Sequence, residues 1–272
     1  MLLIDAHAHL DNYPDDVVDR ILEEIAARRI LTISTAMDLP SYERGRAIAS
    51  RCNLVIPAFG VHPRNALAHA HRLKELKDAI ERSPILGEIG LDHCFVEDST
   101  QYPAQRTVFE FFLAAARDQG KIVNLHTSGA EADVLDLLTR YGIRRAIVHW
   151  YAGPLDTLYA LADRGAFFTV GVEILFSPRI QTIAREIPAN RLLTETDNPD
   201  GLEWLTGAPG MPAALEGVIE KLAELRGLTP DLLIRTVGEN FLRLVQDDPW
   251  LSDLRTSILE RESRPVKARP AD

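Results

Sequence analysis

Cysteine and long apolar stretches are both scarce in this chain of 272 residues. Its two cysteines, Cys52 and Cys94, are too few for a disulfide framework and suit a reducing compartment. No apolar run approaches the roughly 20 residues that span a bilayer, and the first residues do not resemble a secretory signal. We therefore expect a cytoplasmic protein that makes no use of a membrane.

Basic residues are also in deficit. The chain has 30 Lys and Arg against 40 Asp and Glu, which gives a net charge of −10. Non-specific binding to nucleic acid depends on Lys and Arg at phosphates, so this balance argues against it, although a local basic patch stays open. A glycine-rich phosphate-binding turn after the first apolar run is missing too, which disfavours a doubly wound open sheet.

What the chain does contain is a series of short apolar runs rich in β-branched residues. Amphipathic stretches of helical period separate them, and Ile21, Ile25 and Ile30 mark one of these stretches. The eight runs cover residues 2–6, 30–35, 54–59, 85–89, 122–125, 146–149, 166–172 and 192–196. Buried strands that alternate with helices form parallel βα units, and eight of them close a barrel. We therefore predict a single (β/α)8 TIM-like barrel over residues 1–260.

The end of the chain differs in composition from the repeating units. Residues 199–212 are dense in Gly and Pro, which predicts a long loop. Two extra C-terminal helices are predicted over residues 213–226 and 230–245. Residues 261–272 are charged, contain proline and have little to bury, so we expect a frayed tail.

Two histidines, His7 and His9, lie at the end of the first apolar run. Side chains alternate along a strand, so both rings share one face with Asp5. This spacing alone is weak evidence for a metal site, because His69 and His71 repeat it in a charged, helix-like stretch. At helical spacing two such rings diverge by about 200°, so we expect His69 and His71 to be surface residues.

Other polar residues give the first pair its partners. The carboxyl ends of all eight strands meet at one rim of a barrel, where active sites are built. The residues that end or follow the predicted strands are His7, His9, His62, Glu88, His126, His149 and Asp197. Four histidines with two carboxylates exceed the needs of one tetrahedral ion. We therefore expect two divalent ions (Mg, Mn or Zn) bridged by a carboxylate, an arrangement suited to hydrolysis.

Glu195 alternates with Asp197 and is expected to face the same lumen. Two neighbouring carboxylates raise each other's pKa unless a cation lies close by. This relation favours Asp197 as a metal ligand, with Glu195 contacting a ligand residue instead of the ion. The alternative is a buried structural acid paired with an arginine.

The polar residues also fall into motifs that follow one order along residues 1 to 245. The motifs are D-x-H-x-H-L-D at 5–11, G-x-H-P at 60–63, G-E-x-G-L-D at 87–92, strand-end histidines at 126 and 149, L-x-E-T-D-x-P at 193–199 and G-E-N-F at 238–241. In this order the chain resembles the TatD-like metal-dependent deoxyribonucleases of the amidohydrolase superfamily. The resemblance implies a TIM-like barrel and a divalent-metal hydrolase with water as its nucleophile.

Roles follow from the resemblance, position by position. One ion would be held by His7, His9, Glu88 and Asp197, with Glu88 as the bridge to a second ion that His126 and His149 complete. His62 would lie beside the substrate phosphate. Asp197 is the best candidate to orient or deprotonate the attacking water, because it touches both metal and lumen.

The chain departs from the family pattern at three places. Ser128 stands where the family often has Arg, and residues 206–212 lack the Arg-Gly-Lys run that is common there. His93 follows G-L-D in place of an aromatic residue, either as an ordinary loop residue or as an added ligand. Arg and Lys at such places clamp phosphates, so their loss weakens the nucleic-acid interpretation and leaves the hydrolase one intact.

Three functions fit these observations. The first is a two-metal phosphodiesterase that degrades DNA from an end or cleaves a smaller phosphate ester, with Arg64 and Arg179 as substitute phosphate contacts. Trp204 either stacks on a base in that case or packs on the barrel rim. The second is a metal-dependent amide or ester hydrolase, which the missing basic residues favour. The third is a non-catalytic subunit of a larger complex, which the complete ligand set disfavours.

Overall fold

A single eight-stranded parallel sheet organises the computed structural model, which describes residues 1–256. The strands pair in chain order, and their bounds are β1 (Leu3–Ala8), β2 (Ile30–Thr35), β3 (Val55–Phe59), β4 (Ile85–Gly90), β5 (Ile122–His126), β6 (Ala146–Val148), β7 (Phe167–Val170) and β8 (Leu192–Thr194). Each strand begins and ends within about two residues of the predicted run, so the barrel prediction is confirmed. The predicted tail, 261–272, and the last four residues of the predicted barrel lie outside the described residues.

Hydrogen bonds join the first and last strands into a nearly closed barrel. The Thr194 hydroxyl donates to the carbonyl of Ile4 over 2.5 Å. Farther up, the backbone N–H of Asp197 donates to His7 over 2.9 Å, and that of His9 donates to Asn198 over 2.7 Å. We call this junction of β1 and β8 the seam. The seam matters for function because it brings His7, His9 and Asp197 to the same edge of the barrel.

Helices cover the outside of the barrel. Their bounds are α1 (Val18–Arg28), α2 (Leu39–Ala49), α3 (Ala66–His69), α4 (Lys77–Arg82), α5 (Tyr102–Gln119), α6 (Glu131–Tyr141), α7 (Leu155–Asp163), α8 (Pro178–Glu186), α9 (Asp200–Thr206), α10 (Ala214–Arg226) and α11 (Pro230–Leu244). A capping box of Asp38 and Ser41 starts α2, and Gly120 ends α5 in the left-handed conformation. The extra helices α10 and α11 lie where the sequence predicts them.

Apolar side chains inside the barrel and on the inner faces of the helices merge into one main core. A smaller cluster under α1 and α2 includes Leu10, Ile21 and Ile25. This packing makes the strands a rigid base for the rim. No helix within residues 1–256 combines the length and the apolar character needed to cross a membrane.

Two predictions about the connections need correction. Residues 66–80 do not form one continuous helix, because α3 ends at His69 and α4 begins at Lys77. His71 is exposed and His69 half-buried, as expected for surface positions. The predicted loop 199–212 contains α9, which begins after Pro199 and ends at Gly207 with a φ of 79°. Proline and glycine thus mark the two ends of a short helix there.

Candidate metal centre

His7 and His9 point their Nε2 atoms into one site above the end of β1. Those two atoms lie 3.3 Å apart. On the other side of each ring, His7 Nδ1 faces the Asn124 side-chain oxygen at 2.9 Å, and His9 Nδ1 faces the Thr35 carbonyl at 3.1 Å. Carbonyl oxygens only accept hydrogen bonds, so each Nδ1 carries the proton and each Nε2 presents its lone pair. Both rings are therefore oriented as metal ligands.

Two carboxylate oxygens complete a four-atom group around this point. Glu88 Oε2 lies 3.7 Å from His7 Nε2 and 3.4 Å from His9 Nε2. Asp197 Oδ1 lies 3.5 and 3.3 Å from the same two nitrogens. Bonds of about 2.0–2.1 Å to a tetrahedral ion place the ligand atoms about 3.3–3.4 Å apart, close to these separations. Asp197 Oδ1 is also buried without a hydrogen-bond partner, so the residues present fit a cation.

The other oxygen of Glu88 faces a second group. Glu88 Oε1 lies 2.9 Å from His126 Nδ1 and 2.9 Å from His149 Nε2, and those nitrogens are 3.3 Å apart. The second group is tighter than the first, but it has the same composition of nitrogen and carboxylate ligands. One carboxylate thus has an oxygen in each of the two groups.

His62 lies at the edge of this second group with its Nε2 atom 3.5 Å from Glu88 Oε1. Its Nδ1 atom accepts a hydrogen bond of 3.1 Å from the backbone N–H of Arg64. The proton of the neutral ring is therefore on Nε2. His62 thus presents a hydrogen-bond donor to the site.

Charges and burial divide the histidines into neutral and protonated rings. Burial, aided by the charge on His149, lowers the pKa of His7 to about 3, and burial likewise lowers the pKa of His62 to about 3. Burial also opposes a charge on His149, but Glu88 and Glu195 outweigh it and raise the pKa to about 10. The neutral and charged rings of His7 and His149 stack with centroids 3.8 Å apart. Protons thus balance the buried carboxylates until a cation displaces them.

Glu195 lies behind His149, as the alternation along β8 predicts. Its Oε1 accepts from the backbone N–H of Trp150 at 2.9 Å, and its Oε2 lies 3.7 Å from His149 Nδ1. The Glu195 side chain is fully buried, whereas that of Asp197 keeps 17% of its surface exposed. Asp197 is thus the carboxylate of the group with the most open path to a molecule entering from the rim.

Asp92 belongs to this site although sequence reasoning gives it no role. Its Oδ1 accepts from the backbone N–H groups of Cys94 and Phe95 over 3.0 and 2.7 Å, which fixes the carboxylate. Its Oδ2 lies 3.2 Å from His126 Nε2, on the ring edge opposite Glu88. Asp92 and Asn124 therefore play matching parts, each holding the far side of one imidazole. The motif G-E-x-G-L-D contains Asp92, but only the fold shows which ring it meets.

Asp5 lies outside the candidate metal-binding groups, although alternation along β1 predicts that it shares a face with His7 and His9. Both oxygens of its carboxylate accept hydrogen bonds from Thr196, over 2.9 Å from the backbone N–H and 2.7 Å from the hydroxyl. The pairing of β1 with β2 is irregular between Asp5 and Ala8, so simple alternation does not hold there. Asp5 instead ties the seam together below the site.

The remaining predicted residues lie around the rim. The His93 ring stacks on Tyr102 with centroids 3.9 Å apart, and the backbone N–H of His93 donates to Ser128. His93 is therefore an ordinary loop residue here. Arg64 and Arg179 are both exposed, and the Arg179 guanidinium donates to the carbonyl of Ala152 in the loop after β6.

Two glycines let the strands approach closely enough to form the site. A side chain at Gly60 would collide with the backbone of Glu88. Gly90 has a φ of 148°, and a side chain there would collide with the backbone of His126. The glycines of G-x-H-P and G-E-x-G-L-D thus set the positions of Glu88 and His126.

Comparison with known proteins agrees with this geometry. A parallel barrel that carries histidines and carboxylates at its carboxyl rim defines the class of metal-dependent hydrolases built on this fold. The family model for TatD related DNase matches residues 4–246, and the chain belongs to that family.

Relatives and solved structures cover nearly the whole chain. It is 29% identical over 264 residues to the "Uncharacterized metal-dependent hydrolase YcfH" of Escherichia coli K12, covering 91% of this chain and 97% of that one. It is 25% identical over 258 residues to the human "Deoxyribonuclease TATDN3", covering 89% and 94%. The crystal structure of YJJV, a TatD homologue from E. coli K12, superposes with a TM-score of 0.80 at 27% identity, covering 89% and 97%.

Proposed function

We propose that the protein is a phosphodiesterase of the deoxyribonuclease type that hydrolyses DNA from an end with two divalent ions bound at the rim. The observation that carries this proposal is the position of Glu88, whose two oxygens face two separate groups of imidazoles. His7, His9 and Asp197 would hold one ion with Glu88, and His126 and His149 would hold the other with it. Mg, Mn and Zn all fit this mixture of ligands.

When bound, a pair of ions supplies an activated water and charge for the attacking and leaving oxygens. Asp197 takes up the proton of the attacking water, since its side chain is the carboxylate of the group most open to the rim. His62 donates its Nε2 proton to a phosphate oxygen, because its Nδ1 is already committed to the backbone of Arg64. Glu195 acts through His149, and Arg64 and Arg179 lie where they can contact further phosphates.

Free thiols accord with the proposed location in the cytosol. Within residues 1–256 Cys52 and Cys94 are both unpaired, and Cys94 is exposed. An exposed thiol persists where thiols are kept reduced.

A metal-dependent amide or ester hydrolase is the second candidate, and the charge of the rim favours it. The rim loops after β3 to β8 each run from the end of a strand to the first residues of the next helix. Arg64 and Arg179 are the only Lys or Arg residues in these loops. Acyl substrates need no phosphate clamp, so this rim suits them as well.

One reconstitution experiment decides between the two candidates. The protein is loaded with Mg, Mn or Zn and offered single-stranded DNA labelled at either end, alongside lactones and amides. We expect stepwise shortening of the DNA, its arrest by a chelator, and a loss of at least about 1,000-fold for Asp197→Asn. His69→Ala is the matched control, because it removes a histidine away from both groups and leaves the rate unchanged. Turnover of acyl substrates with every phosphodiester intact would refute the proposal.

A further inference from the structure

Three aromatic rings, two exposed and one partly buried, lie against one another on the rim beside the metal centre. Phe95 follows β4, Trp150 follows β6 and Trp204 lies on α9, so the folded barrel alone brings them together. The Trp204 ring lies 6.4 Å from that of Phe95 and 6.1 Å from that of Trp150, at interplanar angles of 87° and 73°. Phe95 is 62% exposed and Trp204 65% exposed. We call these three residues the aromatic patch.

The patch is anchored directly to the metal-binding residues. Trp150 follows His149, adopts a φ of 42°, and donates its backbone N–H to Glu195. Its indole N–H donates to Glu173, which fixes the ring. Gly201 in α9 leaves room for only a hydrogen between the Trp150 ring and Asp197. A left-handed conformation in a large residue persists where its surroundings hold it, and such positions concentrate at functional sites.

The chain segments that carry the patch have no basic residue. Residues 91–101, 149–154 and 197–213 contain neither Lys nor Arg, but they do contain Glu97, Asp200 and Glu203. Apart from Arg179 of α8, whose guanidinium donates to the Ala152 carbonyl, this part of the rim has little opposite charge to attract phosphates. A ligand that settles here has to be recognised by its apolar or aromatic part, even if a phosphate reaches the metal centre next to it.

The size of the patch argues against a second copy of the chain as its partner. Two aromatic side chains that expose about two-thirds of their surface offer on the order of 300 Å². A stable interface buries about 800 Å² on each partner. An area of a few hundred square ångströms matches one or two flat rings instead.

We propose that the aromatic patch is a stacking subsite for the bases of a single-stranded nucleic acid whose scissile phosphate lies at the metal centre. This inference rests on the proposed phosphodiesterase function and extends it to the way the substrate is held. Every base has a π-face, so stacking binds single strands with little dependence on sequence. It also takes the place of the basic residues missing at Ser128 and over residues 206–212.

Equilibrium binding tests the subsite without turnover. Asp197→Asn protein loaded with Mg is titrated into a fluorescent oligothymidylate, and Trp204→Ala and Phe95→Ala are each added to that background. We expect each to weaken binding about 5- to 150-fold, with Trp204→Phe restoring most of the affinity. Tyr159→Ala, which removes an aromatic side chain 40% exposed on α7, is the matched control and leaves affinity unchanged.

Changes to the substrate and the salt complete the test. An oligonucleotide with abasic sugars in place of bases should bind wild type and Trp204→Ala equally weakly. The scissile phosphate at the metal centre and contacts at Arg64 and Arg179 make three phosphates, which allow a salt slope no steeper than about −2.1 for a single strand. Unchanged affinity of both alanine variants, a steeper slope, or a dimer that Trp204→Ala dissociates would each overturn the subsite. None of those results would contradict cleavage of DNA from an end by the wild type. Tight stacking without any cleavage by the wild type would refute the nuclease proposal but not the subsite.

Discussion

Asp92→Asn is expected to weaken the second metal group while leaving the fold and the first group intact. The amide oxygen of Asn can still accept from the backbone of Cys94 and Phe95, so the turn after β4 is preserved. The amide nitrogen then faces His126 Nε2 in place of an oxygen at 3.2 Å. Two donors cannot face each other, so the ring moves its proton to Nδ1, the atom that points at Glu88.

The size of the effect follows from the partner that is lost. Groups that orient a metal-bound histidine typically contribute 10- to 100-fold to metal affinity, or about 1.4–2.8 kcal/mol. We expect this loss for one ion of the two, because Asp92 contacts the His126 ring and neither His7 nor His9. Asn124→Leu is the reciprocal variant, since it removes the acceptor at His7 Nδ1 and should weaken the first group instead.

Metal content after dialysis against buffered free Zn or Mn, followed by mass spectrometry, measures both affinities. Thermal unfolding of the metal-free variants checks that the fold is retained. If Asp92→Asn bound both ions as tightly as the wild type, or lost both to the same extent, the role assigned to Asp92 would be wrong.

Three further predictions concern proton release, the base of the barrel and the close approach of the strands. Metal binding at pH 7 should release a proton from His149, whose pKa is raised to about 10. The affinity for metal should therefore rise with pH up to about that value. Calorimetry in buffers of different ionisation enthalpy, repeated at several pH values, measures both the proton release and the affinity. A pH-independent affinity between pH 6 and 9 would contradict this. Lys121→Met should destabilise the fold by about 2–4 kcal/mol in urea unfolding, because the buried ammonium donates to helix α4 carbonyls and lies 3.9 Å from the Trp250 ring centroid. Lys221→Met, which removes a half-buried ammonium paired with Glu224 on α10, should cost less than about 0.5 kcal/mol, and equal effects would refute the reasoning. Gly90→Ala should abolish binding of the second ion or prevent folding, because a methyl group there overlaps the backbone of His126, and normal metal content in this variant would show that the strands can separate.

The strands and the meeting of histidines and carboxylates at one rim could be predicted because one physical cause dominates each. Residues 54–59 are apolar on both faces, which only a strand buried between a lumen and helices requires. Once strands of this kind alternate with helices, their carboxyl ends must share a rim, and His62, Glu88 and His126 follow from that rule alone.

The parts that were missed depend on contacts between distant residues. Asp92 meets His126 across 34 positions of chain, and no local pattern distinguishes it from any other acid after a strand. The alternation of side chains along β1 did not predict the position of Asp5, because the pairing of β1 with β2 is irregular beside it. A single sequence gives little sign of such irregular strand pairing. Helix α9 was missed because glycine and proline signal the end of regular structure without showing how much lies between them.

The seam has a consequence for how the protein is made. His7 and His9 leave the ribosome first, but Asp197, which joins them across the seam, emerges nearly two hundred residues later. A nascent or truncated chain that ends before β8 therefore lacks the carboxylate that lies beside His7 and His9. The candidate metal centre is complete only when synthesis of the barrel is almost finished.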